Sequence, residues 1–214
     1  YTLYLFMATA SSYYFIDILK NQKLKNCSIY VIISVLMVYN HFFGLFILLS
    51  QAISVPFLYH DKINLKRLFL CMLSIAFLVA PVGLFILLKN NAYVFGWVRK
   101  PSLGSLITLF FSLTGGLSLT SGILMLLLYF IPFFLSFVIS VQRFRESGMT
   151  GLFWRYAFLL SWMLIPIASA FLFSLVIKPL FFPRYLITSL TPLVLLVAVG
   201  LSKIRDKLLY GIAI

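Results

Sequence analysis

Carboxylates are the scarcest chemistry in this chain: its 214 residues hold 4 Asp and Glu against 17 Lys and Arg. Charge of either sign is thin, at 10% of residues, where a soluble domain carries about a quarter. That shortage places the chain outside the soluble globular class. The two cysteines, Cys27 at a loop edge and Cys71 inside an apolar run, form no CxxC or Cys/His spacing. They read as inert buried thiols, and no ligand set for a metal is visible, so a cofactor such as a divalent ion stays open. Domain linkers, low-complexity stretches and fixed-period repeats are missing as well, which leaves 1–214 as one transmembrane domain. Strict apolar–polar alternation is also lacking, and this excludes a membrane β-barrel.

What is there is apolar: 63% of the residues are hydrophobic. Apolar runs long enough for a hydrocarbon core of about 30 Å recur at 1–19, 28–58, 68–88, 117–141, 153–177 and 185–202. Runs of this kind satisfy their backbone polar groups only as helices. The expected fold is therefore all-α, a polytopic transmembrane helix bundle. The net charge of +13 does not point to nucleic acid, because the cations sit in loops between the runs, where they orient a membrane protein. Residue 1 is Tyr, without a basic leader, and the apolar run opening at Leu208 stops at Ile214. The chain is accordingly read as a piece of a longer polypeptide.

Four clusters carry three cations each: Lys20, Lys23 and Lys25; Lys62, Lys66 and Arg67; Arg143, Arg145 and Arg155; Lys203, Arg205 and Lys207. All four read as cytoplasmic. A parity conflict follows, because the single run 28–58 joins two inside loops. At 1.5 Å per residue it would also make a helix of about 46 Å, too long for one simple span. A helical hairpin broken near 39–44 resolves both difficulties and brings the expected number of membrane helices to about seven. The rival is one long tilted helix with 59–67 outside. With the hairpin, 12 cations lie inside and five outside: Lys89, Arg99, Lys100, Lys178 and Arg184. Asp17, Asp61, Glu146 and Asp206 all fall inside, so the outer face has cations and no carboxylate.

Three outer constellations stand out. Tyr39, Asn40 and His41 interrupt an apolar run, where polar side chains mark a cavity or binding site unless they only cap a helix break. In 178–185, Pro183 suits a helix start, and Arg184 with Tyr185 would then meet an anion with a guanidinium fork beside free N–H groups. The plainer alternative is an interfacial Arg beside an aromatic-belt Tyr. Lys178 belongs to the same segment. In the outer loop 89–116, Trp97, Arg99 and Lys100 lead into apolar residues at helical spacing (Leu103, Leu106, Ile107, Phe110) opposed by Ser102, Ser105, Thr108 and Ser112. This predicts an interfacial helix, as a lid over a lipid or as an inert surface element.

Tyr39-Asn40-His41-Phe42-Phe43-Gly44-Leu45-Phe46 with Gln51 resembles the "YTHYFGLF…Q" signature of bacterial polyprenyl-phosphate-dependent glycosyltransferases. These form the protein-mannosyltransferase-like group, family 39 of the GT-C fold. Trp97 with Pro101 and Gly115-Gly116 is similar to a downstream outer loop of that group. Lys178-Pro179-Leu180-Phe181 and Pro183-Arg184-Tyr185-Leu186, with Pro192 and Gly200, resemble its "PLF…RYL…P…G" segment. Tyr1-Thr2-Leu3-Tyr4 is similar to residues following its "Glu-Ala-Arg-Met" stretch. Asn40 stands where that pattern most often has Thr.

The resemblance implies a multi-pass enzyme of the bacterial inner membrane. It would move a sugar from a polyprenyl-phosphate donor to a lipid, glycan or protein acceptor on the outer face, with inversion. The residues expected to bind donor phosphate or substrate, from the polar break and the Pro183 helix start, are Arg184, Tyr185, His41, Asn40, Tyr39 and Lys178. The catalytic base would be an acid upstream of Tyr1, so residues 1–214 alone are expected to be inactive. The alternatives are a polytopic transporter or lipid flippase, disfavoured by the lack of a mid-span carboxylate, and a non-catalytic assembly subunit.

Overall fold

A computed structural model describes residues 1–21, 23–57, 65–88, 100–115, 119–147, 151–176 and 179–202. Among these, every regular element is helical. Helix α1 (Thr2–Asn21) turns tightly into α2 (Leu24–Asn40), and the Asn26 amide donates across that turn to the Asp17 carboxylate. Helix α2 stops where His41 becomes extended, at φ −153° and ψ 120°. Helix α3 (Gly44–Ser54) then folds back beside α2 and ends in a 3₁₀ turn, Val55–Phe57. The return is close at Gly44, where a β-carbon would lie only 3.2 Å from the Val38 Cα.

Helix α4 (Leu65–Leu88) follows, then α5 (Leu103–Thr114), closed by Gly115 at φ +83°, a left-handed conformation that suits glycine. Helices α6 (Leu119–Ser147) and α7 (Gly151–Val176) come next. Last come a 3₁₀ helix, Pro183–Ser189, and α8 (Leu190–Leu201).

Side-chain contacts set the helix directions. Tyr30 on α2 meets Gln51 on α3, so these two run antiparallel. Cys27 lies beside Cys71, and the Tyr39 hydroxyl donates to the Leu78 carbonyl at 3.2 Å, so α2 and α4 run parallel from one end of the bundle. Trp154 at the start of α7 donates to the Ser54 carbonyl at 3.1 Å, which places it at that same end. Exposed Lys20, Lys23, Lys25, Lys66, Arg67, Arg145 and Arg155 gather there. The His41 turn and Arg184 lie at the other end.

The main interfaces are α1 on α2, α3 on α7, α6 on α8, α2 on α4 and α7 on α8. In the core, the buried Phe15 ring of α1 meets Tyr30 of α2 and Phe158 of α7, and Ile47 of α3 belongs to the same buried cluster. Exposed Phe69, Leu73, Phe77, Leu84 and Phe85 line the outside of α4.

Among the described residues, three segments are long and apolar enough to cross a membrane: Leu65–Phe85, Phe153–Val176 and Pro183–Leu201. The two helices of the hairpin, α2 and α3, are short, at 17 and 11 residues, or about 26 and 17 Å. Thr9, Ser11, Ser12 and Asp17 lower the hydropathy of α1.

One local expectation is corrected. The segment from Pro183 is not the first turn of an α-helix but seven residues of 3₁₀ helix, with Tyr185 N–H bonded to the Phe182 carbonyl at 3.0 Å. Pro192 has no N–H to offer Thr188, which favours i→i+3 bonding in the residues before it. Arg184 therefore does not sit at an α-helix N-terminus. In α5, Leu103 and Ile107 are exposed while Leu109 packs inward.

Candidate functional site

The turn between α2 and α3 carries His41 into a wall of rings. Its imidazole stacks on Tyr4 at 4.9 Å and lies 5.3 Å from the Tyr185 ring and 5.7 Å from Tyr1. Phe43, buried behind it, is 5.3 Å from Tyr185 as well. Three separate pieces of chain thus meet: the start of α1, the α2–α3 turn and the 3₁₀ helix. Tyr1 and Tyr4 reach the site because residues i and i+3 share a helix face.

The His41 ring has a defined orientation. Its Nδ1 accepts the Phe43 N–H at 3.4 Å, so the neutral ring carries its proton on Nε2. Burial pushes its pKa down to about 4. At neutral pH the imidazole is an uncharged hydrogen-bond donor. The cation of the site is Arg184, exposed, with its guanidinium 4.5 Å above the Phe182 ring. Stacking on a ring holds the planar fork in place while its N–H groups face outward.

His41, Tyr185 and Arg184 therefore stand at one site. Tyr39 does not join them, because its hydroxyl is engaged by α4. Asn40 is exposed at the end of α2. Lys100 is exposed just ahead of buried Pro101. Lys178, Trp97 and Arg99 lie outside the described residues. Among the described side chains Asp17 is the only carboxylate, and it belongs to the opposite, basic end. No three His, Cys, Asp or Glu side chains come together among the described residues as a metal site would need.

Gln51, part of the quoted motif, has a different place. It is fully buried, accepts the Tyr30 hydroxyl at 2.7 Å and donates to Ser11 at 3.2 Å, while Ser11 pairs with Ser34 at 2.8 Å. This network ties the hairpin to α1 away from the rings. The sequence signal for it was weak, because single serines in apolar helices carry no period.

Beside the 3₁₀ helix, α5, α6, α7 and α8 enclose an apolar cavity of about 260 Å³ lined by Leu109, Phe110, Phe133, Met163 and Leu193. Ser189 reaches the same cavity, and its buried hydroxyl has no hydrogen-bond partner among the described residues. One end of the bundle therefore offers a guanidinium on a ring, a neutral imidazole donor, tyrosine hydroxyls and an apolar hole. That combination suits an amphiphile with an anionic, hydroxyl-rich head. Comparison with protein-family models, curated proteins and solved structures gives no match for this chain.

Proposed function

We propose that this chain forms part of a multi-pass membrane glycosyltransferase of the GT-C kind, in a bacterial inner membrane. It takes a sugar from a polyprenyl-phosphate donor at the His41 end and passes it to a lipid, glycan or protein hydroxyl. One observation carries the reading: the pieces 39–46 and 183–186, far apart in sequence, put His41 within 5.3 Å of Tyr185. Both pieces carry residues expected to bind the donor, and the contact supports placing those residues at one site.

The division of labour follows from chemistry. Arg184 offers paired N–H groups to the phosphate and stabilises the charge that grows as it departs. Neutral His41 donates from Nε2 to phosphate or sugar oxygen. The cavity beside Ser189 accommodates the apolar chain of the donor. Activation of the acceptor hydroxyl needs a carboxylate base, which must come from outside the described residues.

The test is donor affinity and turnover for full-length wild type, Arg184→Lys and Arg184→Ala in one nanodisc preparation. A hydrogen bond to a charged group is worth about 1.5–3 kcal/mol. Arg184→Ala should therefore weaken donor binding about ten- to more than a hundredfold. Arg184→Lys keeps the charge without the fork and should recover part of the loss. A folded Arg184→Ala variant with wild-type donor affinity and turnover overturns the assignment.

A further inference from the structure

A second cavity lies at a different place, between α3 and α4, with a volume of about 400 Å³. Helix α3 leans on α7 while α4 leans on α2, so the two diverge and leave a gap. Leu48, Ala52, Met72, Ala76, Ala80 and Gly83 line it, with Tyr30 at the back. The Tyr30 hydroxyl is already taken by Gln51, so among the described side chains that line the gap none offers a free polar group. A β-carbon added at Gly83 would meet nothing within 4 Å, so the space is open at that point. For scale, an apolar hole of about 150 Å³ suffices to hold a benzene ring.

The end of the bundle below this gap is the basic one. Lys23 and Arg67 each stand four residues ahead of the neighbouring Cys27 and Cys71, so they lie at one level. Lys25 and Lys66 adjoin them, all exposed.

We infer that the gap between α3 and α4 binds an anionic glycerophospholipid of the leaflet at the basic end. Its acyl chain lies along Ala76, Ala80 and Gly83, and its phosphate sits among the lysines and arginine at the start of α2 and α4. This rests on the chain crossing a bilayer and is independent of sugar transfer. Charge selects the headgroup, because juxtamembrane Lys and Arg attract anionic lipids. Shape selects the chain, because an open apolar slot at the edge of the bundle is filled by hydrocarbon in a bilayer. The bound lipid would fill the side of the hairpin that α4 leaves open.

Acyl-chain spin-labelled phosphatidylglycerol and phosphatidylcholine are compared with full-length protein in phosphatidylcholine nanodiscs. Wild type should immobilise phosphatidylglycerol preferentially. Lys66→Gln with Arg67→Gln should cut that preference by roughly five-fold per charge removed, while leaving chain immobilisation in place. Gly83→Leu should abolish the site, with Gly83→Ala giving partial loss and the same helix content. Photoactivatable phosphatidylglycerol supplies a readout on the unaltered chain: its crosslinks should map to Ala76–Gly83 and Leu48–Ala52. Equal affinity for the two lipids, unchanged immobilisation in folded Gly83→Leu, or crosslinks confined to outward Phe77 and Phe85 would overturn the inference.

Discussion

Replacing Gln51 by Met keeps the length of a fully buried side chain and deletes its amide. Three bonds disappear, one from the Tyr30 hydroxyl at 2.7 Å, one to Ser11 at 3.2 Å and a long one to Ser12 at 3.5 Å. Ser11 keeps Ser34 at 2.8 Å, so its hydroxyl remains paired. Tyr30 is 1% exposed and loses its acceptor. The cost is thus dominated by one orphaned donor, about 1–3 kcal/mol. Interhelical hydrogen bonds in membrane proteins average less, about 0.6 kcal/mol, because the unfolded chain in a bilayer also finds partners. The lower half of the range, about 1–2 kcal/mol, is the expectation. Adding Tyr30→Phe removes the orphan, so the double variant should recover most of the loss. Reversible unfolding in mixed micelles of lipid-like detergent and dodecyl sulfate measures all four corners of the cycle. Additive costs for the two substitutions would refute the argument, since they would mean that Tyr30 and Gln51 do not act as a pair.

Gly200 packs so closely on α6 that an added β-carbon would land on the Pro132 carbonyl. Gly200→Ala should lower stability by about 1–3 kcal/mol as the helices are forced apart, read as a lower thermal midpoint. His41 has a folded pKa of about 4, below its unfolded value of about 6.5. Its neutral form is the one the fold accommodates, so its contribution is present above pH 6.5 and is lost as pH falls from there toward 4. His41→Phe should flatten that acid limb of a stability–pH curve. Single cysteines in place of Lys23 and Arg67 should be labelled from one side of an oriented vesicle, and one in place of Arg184 from the other.

The helical class and the charge asymmetry were legible because both are one-dimensional: length of apolar run, and position of Lys and Arg between runs. The polar pair Asn40-His41 lies where α2 stops, since a polar break in an apolar run shows in the sequence by itself. What could not be read depends on rotation about helix axes. Ser11, Ser34 and Gln51 meet only because three helices turn those faces to one another. Tyr39 and His41, two residues apart, look like one motif yet face different neighbours, α4 and the ring cluster. The 3₁₀ helix at Pro183 hinged on a second proline, Pro192, nine residues on, whose missing N–H acts backward along the chain.

That divergence between Tyr39 and His41 gives the sharpest test of the site. The His41 and Tyr185 rings are 5.3 Å apart, within the range where aromatic pairs contribute about 0.5–1.5 kcal/mol beyond burial. If donor binding uses them together, His41→Ala and Tyr185→Ala should be non-additive in donor affinity by about 2- to 13-fold. Tyr39→Ala should add independently to Tyr185→Ala, because the Tyr39 hydroxyl is spent on the Leu78 carbonyl of α4. Donor titration by isothermal calorimetry in nanodiscs measures both cycles on folded protein. Coupling in the first cycle alone means that the ring cluster, rather than the sequence motif as a whole, forms the binding surface. Equal coupling in both would mean that perturbing the end of α2 is enough to disturb Tyr185, and the direct role of His41 would fall. No coupling in either would separate the two motifs altogether, and with them the case for a donor site at this end of the bundle.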